Sequence, residues 1–180
     1  NLITAFDNAL DALSDTKGII LDFRNTVSGG NTYVAKGVMS RFVSEEKPYQ
    51  KHALFESYNN QPKIKRSFVE YVTPRSKTYK KPLVVLVGRW TGSMGEGVTI
   101  GLDGLQRAAI VGTEMRKLLG AVYTVPFKNF SFAYNMPAEK LYHINGTPRE
   151  EFVPQNYINQ TQIDTDQFLQ EAFKILKQEL

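Results

Sequence analysis

The unbroken apolar run Leu83-Val84-Val85-Leu86-Val87 is followed within a few residues by Gly92-Ser93-Met94-Gly95-Glu96. Bounded by Pro82 and Gly88, the run is too short for a buried helix and lacks polar alternation. It therefore predicts a strand covered on both faces, as in the middle of a parallel sheet. The segment after Gly88-Arg89-Trp90-Thr91-Gly92 predicts a helix from about Met94 to Gln106. Ala108-Ala109-Ile110-Val111-Gly112 supplies another buried strand, so two parallel strands flank one right-handed crossover. The chain is thus expected to be α/β, with a mainly parallel sheet flanked by helices.

The N-terminal part repeats this theme. Leu2, Ile3, Phe6, Ala9, Leu10 and Leu13 recur at helical spacing, and the helix is expected to stop near Lys17-Gly18. Gly18 to Phe23 reads as a buried strand, the loop Thr26 to Asn31 follows, and Val34, Val38, Met39, Phe42 and Val43 predict a second helix. From Pro48 to Tyr79 aromatic and basic residues mix, which predicts an antiparallel excursion. Between Lys47 and Lys81 nine Lys and Arg face only Glu56 and Glu70, a local excess read as solvated strand faces. Ala121 to Phe127 and Asn129 to Tyr134 predict strands at a sheet's edge. A last helix is expected from about Thr165 to Gln178, with Asp164 and Gln167 spaced as a capping box.

Composition narrows the function classes. The 180 residues are 42% hydrophobic and 22% charged, enough for a single compact domain with its own core. The absence of cysteine excludes disulfides, thiolate metal sites and a cysteine nucleophile, and two histidines argue against a His-based metal cage. The formal charge of +4 is too small and too dispersed to suggest nucleic-acid binding. The longest apolar run is far short of the roughly 20 residues a membrane helix needs. Asn1 to Leu13 read as a helix already under way, without a signal core, so the chain is expected to be cut from a longer one whose address label lay upstream.

Ser93 stands where a buried strand turns into a helix. Such a turn lifts a hydroxyl above the sheet edge and brings helical N–H groups beside it, as a nucleophile requires. Ser93-Met94-Gly95-Glu96 is also a Ser-x-x-Glu capping box, and spacing alone favours the cap. Five glycines, Gly92, Gly95, Gly97, Gly101 and Gly104, crowd this helix and its start. Each interior glycine costs about 1 kcal/mol relative to alanine, so something must approach closely: a packed element, the favoured reading, or a substrate backbone. No phosphate-cradling motif accompanies them. Gly29-Gly30, at the exit of the first strand, reads on its own as a turn; together with Ser93 it would supply one oxyanion N–H and Met94 the other.

Three ordered blocks carry a family resemblance. Gly18-Ile19-Ile20-Leu21-Asp22-Phe23-Arg24-Asn25 with Gly29-Gly30, Pro82 to Val87 with Gly92-Ser93-Met94-Gly95-Glu96, and Ala109-Ile110-Val111-Gly112-Thr113 resemble the tail-specific, or C-terminal processing, serine peptidase family, with its tricorn-like and retinoid-binding-protein-like branches. The resemblance implies a Clp-protease/crotonase-like superhelix, Ser93 as nucleophile, and an oxyanion hole from Gly30 and Met94. It implies no cofactor, a polypeptide substrate cleaved near its C-terminus, an exported periplasmic or cell-envelope protein, and an upstream PDZ-like or other N-terminal module outside this single core domain. The family's lysine base is expected at Leu118, one residue after Lys117, and a one-residue loop deletion would bring Lys117 into that role. In the tricorn-like arrangement a histidine from an upstream segment activates the serine. Asn145-Gly146 and Glu150-Glu151-Phe152-Val153-Pro154 then resemble the segment carrying a supporting carboxylate, with Glu151 or Glu150 in that place. His143 qualifies only if its strand passes the site, and His52, in the basic excursion, is not favoured. Two rival readings use the same residues: an inactive peptidase-like peptide-binding module, and a crotonase-type acyl-thioester enzyme.

Overall fold

The computed structural model describes residues 1–75, 77–129, 131–161 and 164–178. Helix α1 (Leu2–Ala12) leads into strand β1 (Ile19–Asp22), helix α2 (Thr32–Met39), and the hairpin β2 (Lys47–Glu56) and β3 (Ile64–Val72). Strand β4 (Leu83–Val87), helix α3 (Met94–Gly104) and strand β5 (Ala109–Gly112) form the predicted strand–helix–strand unit. A second hairpin, β6 (Gly120–Pro126) and β7 (Ala133–His143), precedes a short 3-10 turn at Arg149–Glu151, strand β8 (Asn156–Tyr157) and helix α4 (Gln167–Gln178).

The strands divide into two four-stranded sheets. The first, in the order β1-β4-β5-β8, is parallel throughout. Every residue of β4 is buried, because α4 covers one face while α2 and α3 lie with the main core on the other. The second sheet, in the order β3-β2-β7-β6, is antiparallel. The two hairpins therefore join each other through β2 and β7, with His52 opposite Leu141 and Gln50 opposite His143.

Several boundaries differ from the expectations. Helix α1 ends at Ala12 in a turn, and α2 is shorter than the pattern suggests, although Phe42 and Val43 beyond it remain in the core. Strand β7 is also shifted: it begins at Ala133, runs to His143 and is interior to its sheet. Its pairing with β2 is a long-range contact that local periodicity does not reveal. The expected Asn129–Tyr134 strand instead covers the turn and the start of β7, with residue 130 outside the described residues. Helix α4 starts at Gln167, and Asp166 Oδ1, not Asp164, accepts the Leu169 N–H at 3.0 Å. Asp166 also pairs with Arg24, which anchors this helix start to the end of β1. Among the described residues no helix is long and apolar enough to cross a membrane.

The glycines of α3 answer the close-approach question in favour of packing. A Cβ on Gly101 would stand 2.5 Å from Met39 Sδ and 3.0 Å from Tyr49, and one on Gly104 would stand 2.8 Å from Ile144. Helix α2 and the antiparallel sheet therefore press directly on the backbone of α3.

Candidate active site

Strand β4 ends in a turn that neighbouring backbone holds in place. Buried Thr91 donates from its hydroxyl to Phe23 O at 2.8 Å and accepts the Gly88 N–H at 3.0 Å. The Gly92 N–H reaches Thr26 O at 2.8 Å, and the Arg116 N–H reaches Thr91 O at 2.9 Å. Ser93 follows with φ 56° and ψ −125°, a conformation that L-residues rarely adopt. Such strain costs of order 1–3 kcal/mol and persists only where surrounding structure imposes it. It is the sharp strand-to-helix bend that raises a serine hydroxyl above a sheet.

Capping at this bend is lopsided. The Ser93 N–H donates to Glu96 Oε2 at 3.0 Å, whereas the hydroxyl's half of the box is a looser approach without a cap hydrogen bond. Helix N–H groups are also partly committed: Gly95 N–H bonds Gly92 O at 3.0 Å, and the Glu96 and Gly97 N–H groups both bond Ser93 O, at 3.1 and 3.2 Å. Met94 N–H, the first of the helix, has no intrahelical acceptor available. The Gly29-Gly30 loop lies against this helix start, since a Cβ on Gly29 would be 2.6 Å from Gly95 N and 2.8 Å from the Met94 carbonyl carbon. Gly30 takes φ +79°, in the left-handed region open to glycine.

A cavity of about 620 Å³ opens at the bend. It brings together Ser93, Met94, Gly30 and Lys117, four of the residues singled out from the sequence. Its walls add Leu119, Ala121, Val122, Pro137 and Leu141 from the second hairpin and its approach. Lys117 is exposed and left-handed, with φ 61°. Glu151 is exposed on the 3-10 turn and does not line the cavity. Its neighbour Glu150 pairs with Lys140 at 3.3 Å. His143 is also elsewhere: its Nε2 meets Asp103 Oδ2 at 3.0 Å, its Nδ1 accepts the Asn145 N–H at 3.1 Å, and its ring stacks on Phe152.

Gln50 and Arg149, which the sequence reading missed, line the cavity, and so does His52, which it considered and did not favour. His52 is buried, with its Nδ1 on the Glu139 carboxylate and its Nε2 beside the Gln50 amide (3.0 Å) and Glu70 Oε2 (3.4 Å). Burial pulls its pKa down, but the bonds to Glu70 and Glu139 outweigh that effect and raise it. Burial likewise works to raise the Glu70 carboxyl, yet hydrogen bonds from His52 and Tyr49 take it down to about 2. Both ring nitrogens are thereby engaged, which leaves neither free to act on the Ser93 hydroxyl.

Glu96 is fully buried and joins the Ser93 turn to the segment that carries Lys117. Beside the Ser93 N–H it accepts the Leu118 N–H at 3.2 Å and bonds the Lys117 backbone. Arg149, 3% exposed, donates from Nη2 to Leu118 O at 2.9 Å and stands 3.7 Å from Glu96 Oε2. Burial pushes the Glu96 carboxyl up against the pull of Arg149 and these backbone donors, and lowers the Arg149 guanidinium against Glu96 and Glu150. The only sequence signal for this clamp was Glu96 in the capping box. Arg149 had none, because it comes from a turn far along the chain.

The chain belongs to peptidase family S41, whose family model matches residues 3–177. Solved structures share the fold. A photosystem II D1 C-terminal processing protease is 18% identical, with a TM-score of 0.65 over 91% of this chain and 40% of that one. A putative peptidase from Parabacteroides merdae ATCC 43184 is 16% identical, with a TM-score of 0.77 over 97% of this chain and 56% of its own. Mature CPAF, in complex with lactacystin, is 16% identical, with a TM-score of 0.74 over 98% of this chain and 46% of its own. The chain thus spans roughly half the length of these structures. Among curated proteins none matches the sequence significantly.

Proposed function

We propose that this chain is the core of a serine endopeptidase that cleaves polypeptides near their C-termini, with Ser93 as nucleophile. The observation that carries the reading is the strained Ser93 bend opening into a cavity shared with Gly30, Met94 and Lys117. Family membership supports peptide hydrolysis, and the D1 processing protease among the structural neighbours supports action near a C-terminus. In this reading Lys117 takes the hydroxyl proton as Ser93 Oγ attacks the scissile carbonyl. The Gly30 and Met94 N–H groups stabilise the oxyanion, each worth about 3 kcal/mol in comparable sites. Collapse passes the proton to the leaving amine, and water then hydrolyses the acyl-enzyme by the same route. Glu151 would support this chemistry from outside the cavity, through the turn that carries Arg149.

An upstream PDZ-like module would feed the substrate as an added strand, and an exported location fits the neighbour described as a lipoprotein from Streptococcus agalactiae. A peptide-binding module without catalysis is the second reading, favoured by Leu118 at the expected lysine position and by the exposure of Lys117. Fluorophosphonate labelling separates them. The peptidase reading expects covalent labelling at Ser93 and cleavage of an unstructured peptide, both lost in Ser93→Ala and the cleavage lost in Lys117→Met. A folded chain that is never labelled and cleaves nothing sinks it.

A further inference from the structure

We propose that the tips of the two hairpins form a docking site for an anionic lipid surface. Strand β2 runs toward its hairpin turn and β7 runs away from its own, and the two pair antiparallel from Gln50 opposite His143 to Leu54 opposite Glu139. Both turns therefore point off the same end of the sheet. Beyond Leu54 and Glu139 that pairing stops, while β2 and β3 continue to Glu56 opposite Ile64, and β6 and β7 to Pro126 opposite Ala133. Every residue in 55–68 is exposed, and so is every described residue in 126–138. Two separate two-stranded ribbons thus project from the body.

Water alone is a poor surrounding for such ribbons. The first presents Phe55, Tyr58 and Ile64, which are 67%, 78% and 56% exposed. The second presents Phe127, Phe132 and Tyr134, with the other two rings 4.7 and 5.5 Å from that of Phe127. An isolated ribbon is marginal in water, and clustered exposed apolar side chains mark contact sites. The shape selects the occupant. Phe55 opposes Lys65 and Ile64 opposes Glu56, so neighbouring positions send apolar groups to opposite faces of the first ribbon, while Tyr58 sits in its turn. That pattern offers a protein partner no single apolar face, whereas a ribbon pushed end-on into a lipid interface is surrounded on all sides. The charges agree. Lys63, Lys65 and Lys128 flank the rings without a carboxylate partner among the described residues, and Arg66 is answered by Glu56 at 2.5 Å, the one acidic residue in the two exposed stretches. Rings and lysines together suit the headgroup layer of an anionic leaflet, where the ring bodies reach the acyl boundary and the ammonium groups stay wet. The ribbons' outer edges are unpaired, so penetration stops at that layer. Val122 and Pro137, at the root of the second ribbon, line the Ser93 cavity, and docking would hold that cavity close to the membrane.

The test is cosedimentation of the full chain with vesicles of phosphatidylcholine alone, and of phosphatidylcholine with phosphatidylglycerol at about two to one. Binding to the anionic vesicles is expected, weakening as salt rises, with little on the neutral ones. Lys63→Gln with Lys65→Gln should reduce that binding about 30-fold, the effect of two lysines beside an anionic surface. Phe55→Ser with Tyr58→Ser should lower it about tenfold or more while thermal unfolding stays unchanged. Phe127→Ser with Phe132→Ser should act alike; because those rings pack on each other, the first pair decides the matter if the second does not fold. No binding to anionic vesicles, equal binding to both vesicle types, or binding indifferent to the tip substitutions overturns the proposal. A concentration-dependent dimer that Phe55→Ser with Tyr58→Ser dissolves would assign the tips to a second copy of the chain and likewise overturn it.

Discussion

Glu96→Gln isolates the clamp between the Ser93 turn and the segment that carries Lys117. The native carboxylate accepts the Ser93 N–H at 3.0 Å and the Leu118 N–H at 3.2 Å while facing the buried Arg149 at 3.7 Å. A glutamine of the same shape keeps one acceptor and replaces the other with an amide that meets a backbone donor. It also removes one of the two carboxylates, Glu96 and Glu150, that act on the buried Arg149. Orphaning a buried donor costs about 1–3 kcal/mol, and breaking a buried pair about 3–5 kcal/mol, so a loss of about 3–5 kcal/mol is expected because the two effects overlap. Urea unfolding measures it, and Trp90, the single tryptophan, sits in the turn just before Ser93 as a local fluorescence probe. Pairing Glu96→Gln with Arg149→Met should recover part of the loss, since the buried charge is then gone. Fluorophosphonate labelling of Ser93 should slow in Glu96→Gln under conditions where the variant is still folded. Were the stability loss under about 1 kcal/mol and the labelling unchanged, the clamp would have no role in holding the site.

Three further outcomes are expected. Gly29→Ala places a Cβ 2.6 Å from Gly95 N, against backbone that cannot yield, so it should cost about 1–3 kcal/mol in thermal unfolding and displace the Gly30 N–H, lowering kcat; wild-type kcat would contradict the oxyanion assignment. Gly101→Ala meets the flexible Met39 thioether and Tyr49 far from the bend, so it should destabilise by about 1–3 kcal/mol with Ser93 labelling unaltered once folded, as equilibrium unfolding and labelling rates would report. The His52 network makes stability depend on pH in two directions. With Glu70 lowered to about 2, its contribution is complete above its unfolded value near 4.5 and lost as pH falls through about 2; with His52 raised, its contribution is complete below 6.5 and lost as pH climbs past the folded value. Urea midpoints across pH should therefore flatten on the acid side in Glu70→Gln and on the alkaline side in His52→Gln, and parallel curves for wild type and variants would refute the linkage.

The strand–turn–helix units could be read locally because their causes are local. Five consecutive branched residues in β4 have no exposed face, and Gly92-Ser93-Met94-Gly95 must bend between that strand and α3. Ser93, Met94, Gly30 and Lys117 were consequently within reach of pattern reading. His52 and Gln50 were not, because they enter the cavity through the pairing of β2 with β7, a register set by two hairpins distant in the chain. Arg149 was hidden for the same reason: its charge gains meaning only beside Glu96 and Leu118 O. Asp166 took the helix cap from Asp164 because pairing with Arg24 locates that helix start from outside its own sequence.

Short-range patterning thus specified the parallel sheet, the bend that presents Ser93, and the glycine loop beside it, since steric limits on a few neighbouring residues suffice for each. Tertiary structure alone decided what surrounds the hydroxyl. It set apolar walls from the second hairpin, engaged both ring nitrogens of His52, and buried Arg149 beside Glu96 and the Leu118 carbonyl. Burial and charge depend on what folds against a residue, and no spacing along the chain encodes that.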